Sequence, residues 1–167
     1  MKTGYKHPGC KVLAWRRIGV FADRCALYAD EHELAVLKIG GLGLTGPIAQ
    51  LDAGDLRLVF LSDSLADRSI QVCDASTHAT VARYERNWRG AGGILRLAEG
   101  GQLRWVRTGG LWSSERMFTN IDGTALVRFA ADGTVTNLVT EDPAAADFLL
   151  VLALGWLLIV LARDQGG

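Results

Sequence analysis

The feature that most constrains this chain is an apolar segment near its C-terminus. From Phe148 to Ala162 the only polar side-chain group is the indole N–H of Trp156. A helix over these fifteen residues is only about 22 Å long, whereas the hydrocarbon core of a bilayer is about 30 Å thick. Because such a helix is apolar on every side, it must be surrounded either by lipid or by protein.

The residues that flank this segment leave both surroundings open. Asp142-Pro143 predicts a helix that begins at about Ala144, and this start would place the carboxylate of Asp147 inside a membrane span. Only Arg163 follows the segment as a basic flank, which is weak for a membrane anchor. The rest of the chain must therefore decide between an anchor and a core helix.

Upstream of Thr140 the chain consists of short segments with apolar residues at alternate positions. In DLRLVFLS, for example, Leu56, Leu58 and Phe60 share one face, as in a half-buried strand. Asp122-Gly123 and Asp132-Gly133 supply the positive φ that tight hairpins need. About twelve strands are predicted, near residues 11-16, 24-29, 34-39, 46-51, 55-61, 68-74, 79-84, 93-98, 102-108, 115-120, 123-130 and 134-139.

The strand count and the apolar helix predict one architecture together. An eleven-stranded barrel has room for a central helix, and strands of six or seven residues are about 20 to 23 Å long, close to the helix length. We expect a mainly β fold: an antiparallel closed β-barrel of about twelve strands, of the tubby-like kind introduced below, that encloses a hydrophobic C-terminal helix. Residues 1-167 form a single domain, with 144-162 as the central buried helix. The expected core positions of this helix are Phe148, Leu152, Gly155, Trp156 and Ile159.

Gly155 is unexpected inside this helix, because glycine costs about 1 kcal/mol relative to alanine there. Either a strand backbone approaches closely at this position, or the glycine makes room beside Trp156. The alternative in which the helix is a tail anchor in the bilayer leaves a dozen amphipathic strands without a large enough core.

Three stretches resemble the tubby-like superfamily, which includes tubby C-terminal domains, phospholipid scramblases and LURP-one-related proteins. ATVARYERNWRGAGG, with Trp88-Arg89-Gly90, is similar to a strand and turn of the scramblase and LURP-one chains. SSERMFTNIDGTALVRF resembles their later pattern of strand, D-G turn and strand, and EDPAAADFLLVLAL resembles their helix entry. The resemblance covers roughly Thr80 to Ala162 and implies a barrel closed around a hydrophobic helix.

The same resemblance implies a binding or adaptor function rather than catalysis. Tubby domains bind phosphoinositide head groups through basic residues on the barrel's outside. This chain lacks the Pro-rich N-terminal region, the cysteine cluster and the acidic calcium-binding segment of the scramblases, so calcium-activated scrambling is not implied.

A basic stretch carries the one functional prediction that the residues themselves make. The stretch from Arg83 to Arg107 contains six arginines and only two acidic residues, with aromatic residues interleaved. Guanidinium groups match phosphate bidentately, and an exposed Trp sits well at a lipid head group. The simpler interpretation is a solvated outer face of barrel strands. The candidate ligand-binding residues, for anionic phospholipid or another phosphate-bearing ligand on the barrel exterior, are Arg83, Arg86, Arg89, Arg104, Arg107 and Trp88.

No motif in the sequence predicts an enzyme, a metal or a cofactor. His7, His32 and His78 are scattered without ligand spacing. Gly41 to Gly46 satisfies GxGxxG, but Pro47 follows and leaves no room for the helix that a dinucleotide site requires. The sequence thus predicts no catalytic, metal or cofactor residues, and nucleic acid binding is disfavoured.

The cysteines and the N-terminus bear on location. Cys10, Cys25 and Cys73 are odd in number and lie in no zinc-like spacing, so we expect reduced, buried thiols. The apolar run from Val12 to Trp15 is too short for a signal peptide. We expect a cytoplasmic protein, peripheral to the membrane if it contacts anionic lipid. The sequence predicts neither a protein partner nor an oligomeric state.

Overall fold

The computed structural model describes residues 13–19, 23–40, 47–62, 69–87, 92–107, 115–137 and 146–166. Within them lie twelve strands and one helix. The strands are β1 (Leu13–Arg17), β2 (Arg24–Ala29), β3 (His32–Ile39), β4 (Pro47–Ala53), β5 (Leu56–Ser62), β6 (Ser69–Asp74), β7 (Thr80–Arg86), β8 (Gly93–Leu97), β9 (Gln102–Arg107), β10 (Arg116–Thr119), β11 (Ala125–Phe129) and β12 (Thr134–Asn137). The helix is α1 (Ala146–Gly166).

Each strand pairs antiparallel with its neighbours in the sequence, and the barrel closes where β1 pairs with β12. The register of this closing pair places Leu13 opposite Val135. The predicted closed antiparallel barrel of twelve strands around one C-terminal helix is confirmed. Alternation together with the turn residues located the strands, because most of them have one face on the core and one towards solvent.

The helix fills the barrel. Every side chain from Phe148 to Leu157 is buried, on all sides of the helix. The predicted core positions Phe148, Leu152, Gly155, Trp156 and Ile159 are all buried, with Leu152 fully so. By length and composition α1 could also cross a membrane, but here the strands take the place of lipid around it.

The structure gives a steric reason for a glycine at position 155 of the helix. A Cβ at this position would overlap the ring of Phe129, an inward side chain of β11. The glycine therefore makes room for an aromatic side chain, and the three nearest atoms all belong to this ring rather than to a strand backbone. Phe129 in turn packs edge-on against Trp105 at 5.6 Å between ring centroids, so the glycine sustains an aromatic cluster of the barrel wall.

The helix ends later than predicted. It continues beyond Ala162 to Gly166, and Arg163 lies over the ring of Trp156 at 5.2 Å while donating to the carbonyl of Ala131. A cation suits this position, because the C-terminal end of a helix carries a partial negative charge. The predicted start at Ala144 falls outside the described residues.

The other predicted features divide between described and undescribed parts of the chain. Cys25 and Cys73 are buried free thiols, as expected, whereas Cys10 and His7 lie outside the described residues. Strand β4 begins at Pro47, so the helix that a dinucleotide site needs after GxGxxG is replaced by a strand.

Candidate functional site

Among the described residues, arginines concentrate at one end of the barrel, together with the carboxylates of Asp23, Glu115 and Asp132, whereas the turns of the other end contain no Lys or Arg. Because all strand pairs are antiparallel, odd-numbered strands end, and even-numbered strands begin, at the same end of the barrel. We call this the basic end, because its strand termini carry Arg17, Arg24, Arg86, Arg107 and Arg116. Arg163 of the helix reaches the same end through Ala131.

The opposite end, called the acidic end below, is closed by five short turns that are described in full. These turns contain no Lys or Arg. Their acidic residues are Asp30, Glu31, Asp55, Glu99 and Asp122. The helix begins at this end with the exposed Asp147.

The arginines of the basic end are not all alike: Arg86, Arg107 and Arg116, called the arginine cluster below, each lie at the rim on the inward face of a strand, and Arg107 and Arg116 are directly paired. Arg86 follows the buried Tyr84 by two residues, and Arg107 follows the buried Trp105 by two residues, so both arginines continue the inward faces of their strands to the rim. Arg116 precedes the inward Phe118 by two residues in the same way. The cluster thus caps an aromatic layer of the core.

Arg107 and Arg116 are directly opposite each other in the pairing of β9 with β10. Directly opposite residues have Cβ atoms about 4.5 to 5.5 Å apart, and like charges in such pairs destabilise a sheet. The pKa of the Arg116 guanidinium is lowered by partial burial and, second, by the positive charge of Arg107. The Arg116 side chain nevertheless stays charged, since arginine does not lose its proton in proteins.

The aromatic layer beneath the cluster is closely packed. Ring centroids of Trp105 and Phe118 are 4.7 Å apart. Burial raises the pKa of Tyr84 well above its ordinary value, and the charge of Arg86 acts in the opposite direction. This packed apolar layer fixes the strand backbones from which the arginine side chains extend to the rim.

The predicted ligand residues are divided by the structure. Arg86 and Arg107 lie in the arginine cluster, whereas Arg83 and Arg104 lie on the outer wall of the barrel. Arg83 is engaged there by Glu85, at 3.7 Å, and Arg96 contacts the same carboxylate at 2.7 Å. Trp88 and Arg89 lie outside the described residues.

Arg116 is not among the predicted ligand residues, although the sequence contains a signal for the inward arginines. An aromatic residue followed two positions later by arginine ends three odd strands, as in Trp15-x-Arg17, Tyr84-x-Arg86 and Trp105-x-Arg107. In β10 the order is reversed, since that strand runs the other way, and the motif reads Arg116-x-Phe118. Period-two spacing at strand ends would have identified a common rim.

Within the described part of the chain, no group of three or more His, Cys, Asp or Glu side chains could hold a metal ion. The geometry instead offers fixed cations at one end of a closed barrel. A scan against protein-family models gives no match, and comparisons with curated proteins and with solved structures give none either.

Proposed function

We propose that this protein is a non-enzymatic binding module that docks its basic end on an anionic phospholipid surface. The observation that carries the proposal is the pairing of Arg107 with Arg116. Like charges on directly opposite residues are unfavourable, and an anion shared between the two side chains relieves the repulsion while forming charge-assisted hydrogen bonds.

The charge distribution over the whole barrel supports a docked orientation. An anionic surface attracts the basic end and repels the acidic end, so the barrel axis stands on the surface. Each arginine close to an anionic membrane surface contributes about 1 kcal/mol of binding free energy. The resemblance to tubby-like domains agrees with lipid head-group binding but places it on the barrel exterior, whereas we assign it to the rim.

The test is sedimentation with phosphatidylcholine vesicles that contain or lack phosphatidylserine. We expect binding only to the anionic vesicles, and binding that weakens as salt is raised, since salt screens exposed charges. The double variant R107Q/R116Q should lose about 2 kcal/mol, which is roughly a 30-fold fall in the partition coefficient.

A matched control removes the same charge from the outer wall. In R83Q/R104Q the two substituted residues lie away from the rim, so this variant should retain most of the binding. Equal losses in both double variants would mean that total charge alone matters, and the rim assignment would be wrong. A larger loss in R83Q/R104Q would restore the exterior site that the sequence predicted.

The alternative function is a tail-anchored membrane protein, which the composition of α1 favours. Insertion would require the helix to leave the barrel and expose inward side chains such as Leu37, Leu51 and Phe60 to water. Expression of the full chain without detergent, followed by ultracentrifugation, separates the two functions. Recovery in the supernatant supports the binding module, whereas a pellet that is extracted by detergent and not by salt supports the anchor.

A further inference from the structure

A recess opens at the basic end between the last turns of α1 and strands β1 to β3. Its volume is about 740 Å³, within the range of about 300 to 1,000 Å³ that is typical of small-molecule sites. Apolar walls are supplied by Trp15, Cys25, Trp156 and Val160. The arginine cluster does not line it, so the recess is separate from the surface assigned to lipid above.

Two buried hydrogen-bond donors belong to the walls of this recess. Trp15 is 2% exposed and Trp156 is 5% exposed. Neither Nε1 atom has a hydrogen-bond partner among the residues that the structure describes. Buried indole N–H groups usually find an acceptor, because an unsatisfied buried donor is destabilising. Each N–H is enclosed by its own surroundings, so a molecule in the recess would contact the tryptophan rings rather than these donors.

The protein holds these two tryptophans in place without supplying the acceptor. The main-chain N–H of Trp15 donates to the carbonyl of Gly133 at 2.8 Å, which fixes β1 at this point. Arg163 covers the ring of Trp156 but is itself exposed, so it can change rotamer as a molecule enters.

Charged groups around the recess favour an anion. Its lining includes the cations Arg16, Arg17, Lys38 and Arg163 and the carboxylates of Asp23 and Asp132. The C-terminal end of α1 repels negative charge, so an anionic group is best placed on the strand side, beside Arg17. An apolar part would then lie towards Trp156 and Val160.

We propose that this recess binds a small amphipathic anion, a carboxylate or phosphate carried on an apolar body. Arg17 receives the oxygen atoms, and the walls, with Trp156 and Val160 among them, bury the apolar part. This site does not depend on vesicle binding, since the two use different strands of the basic end.

The test follows the indole N–H signals of protein labelled with ¹⁵N-tryptophan, of which the chain has five. The probes are decanoate and decyl phosphate, with decanol as the uncharged analogue and inorganic phosphate as the anion without an apolar body. Decanoate or decyl phosphate should shift the signals of Trp15 and Trp156, while Trp105, buried beneath the arginine cluster, should stay unchanged.

A matched pair of variants tests the placement of the anionic group. R17Q removes a cation that lines the recess, and R24Q removes one at the start of the adjacent strand that does not. We expect R17Q to raise the dissociation constant of the anionic probe about tenfold or more, because a charge-assisted hydrogen bond is lost. R24Q should leave that constant unchanged.

Each outcome decides the question. If no probe shifts the two signals, or if Trp105 shifts with them as in general unfolding by an amphiphile, the site is disproved. Equal shifts with decanol, or an R17Q variant that binds as tightly as the parent, would overturn the anionic assignment. R107Q/R116Q should bind the probes normally while losing vesicle binding, so failure of one proposal can be told from failure of the other.

Discussion

The two ends of the barrel differ in how their strands are joined. At the acidic end the connections are two to five residues long, whereas five of the six connections at the basic end have six to eight residues. Short turns fix strand register, and longer connections are where binding contacts usually concentrate. One end of this barrel therefore serves to align the strands, while the other is available for contacts.

The central helix explains part of the charge difference between the ends. Its first turn lies at the acidic end with Asp147, and its last turn lies at the basic end with Arg163. These signs complement the partial charges at the helix termini. The helix dipole accounts for the sign of each end, but it does not account for two arginines placed directly opposite each other.

The largest expected effect comes from two Asp-Gly turns, one at each end. Gly123 at the acidic end has φ 95 with open space around it, whereas Gly133 at the basic end has φ 98 and a Cβ there would overlap the carbonyl of Trp15. G123A should cost about 1 to 2 kcal/mol for the left-handed backbone alone. G133A should cost about 3 kcal/mol or more, since overlap with a fixed backbone is added.

Urea denaturation of the two glycine variants gives both values directly. Equal losses of stability in G123A and G133A would show that the backbone around Gly133 shifts to accommodate a Cβ, although the structure places it against the carbonyl of Trp15. Trp15 would then not be fixed by its turn, and the recess that it lines would lose its firm wall.

The next effect concerns the helix that joins the two ends. G155A gains about 1 kcal/mol of helix propensity, but overlap with the ring of Phe129 should cost about 1 to 3 kcal/mol, so the variant should be less stable or no more stable than the parent. The second variant, F129L, removes the overlapping ring atoms. A double-mutant cycle should show that the two substitutions together cost about 1 kcal/mol less than the sum of the single ones. Strict additivity would contradict the contact.

The smallest effect is a loss of folding stability at acidic pH, to which both turns contribute. Hydrogen bonds from the side chain and main chain of Thr124 lower the pKa of Asp122, and the main-chain N–H of Thr134, with its side chain, lowers the pKa of Asp132. A carboxylate whose pKa is lowered by folding stabilises above its unfolded value of about 3.9, and this contribution is lost as pH falls through the folded value. Stability should thus decline below about pH 4.

Asparagine at these positions keeps the acceptor oxygen without the titration. D122N and D132N should each show a shallower loss of urea midpoint between neutral and acidic pH, and their effects should add, because the turns lie at opposite ends. Effects that do not add would mean that the two ends are coupled through the helix.

The sequence predicted the fold well because alternation and turn chemistry are local. Leu56, Leu58 and Phe60 are apolar at every second position whatever the strand pairs with, and Asp122-Gly123 forms its turn from its own residues. The all-round apolarity of Phe148 to Leu157 predicted enclosure in the same direct way.

The candidate sites could be predicted only in part, because they depend on register across long connections. Arg107 and Arg116 become neighbours only through the pairing of β9 with β10, and eight residues separate these strands. Spacing alone also did not show that Arg83 would be engaged by Glu85 on the outer wall. The recess could not be predicted from local sequence patterns, since Trp15 and Trp156 come from opposite ends of the chain.

The order of elements along the chain has a consequence for biosynthesis. All twelve strands precede α1, so a ribosome synthesises the barrel wall before the helix that fills it. The first and last strands also close the barrel on each other, and among the described strands this is the one pairing between elements distant in the sequence. Inward faces rich in Leu, Phe and Trp stay exposed until residues 146–166 leave the exit tunnel, and molecular chaperones would have to shield the nascent chain during that interval.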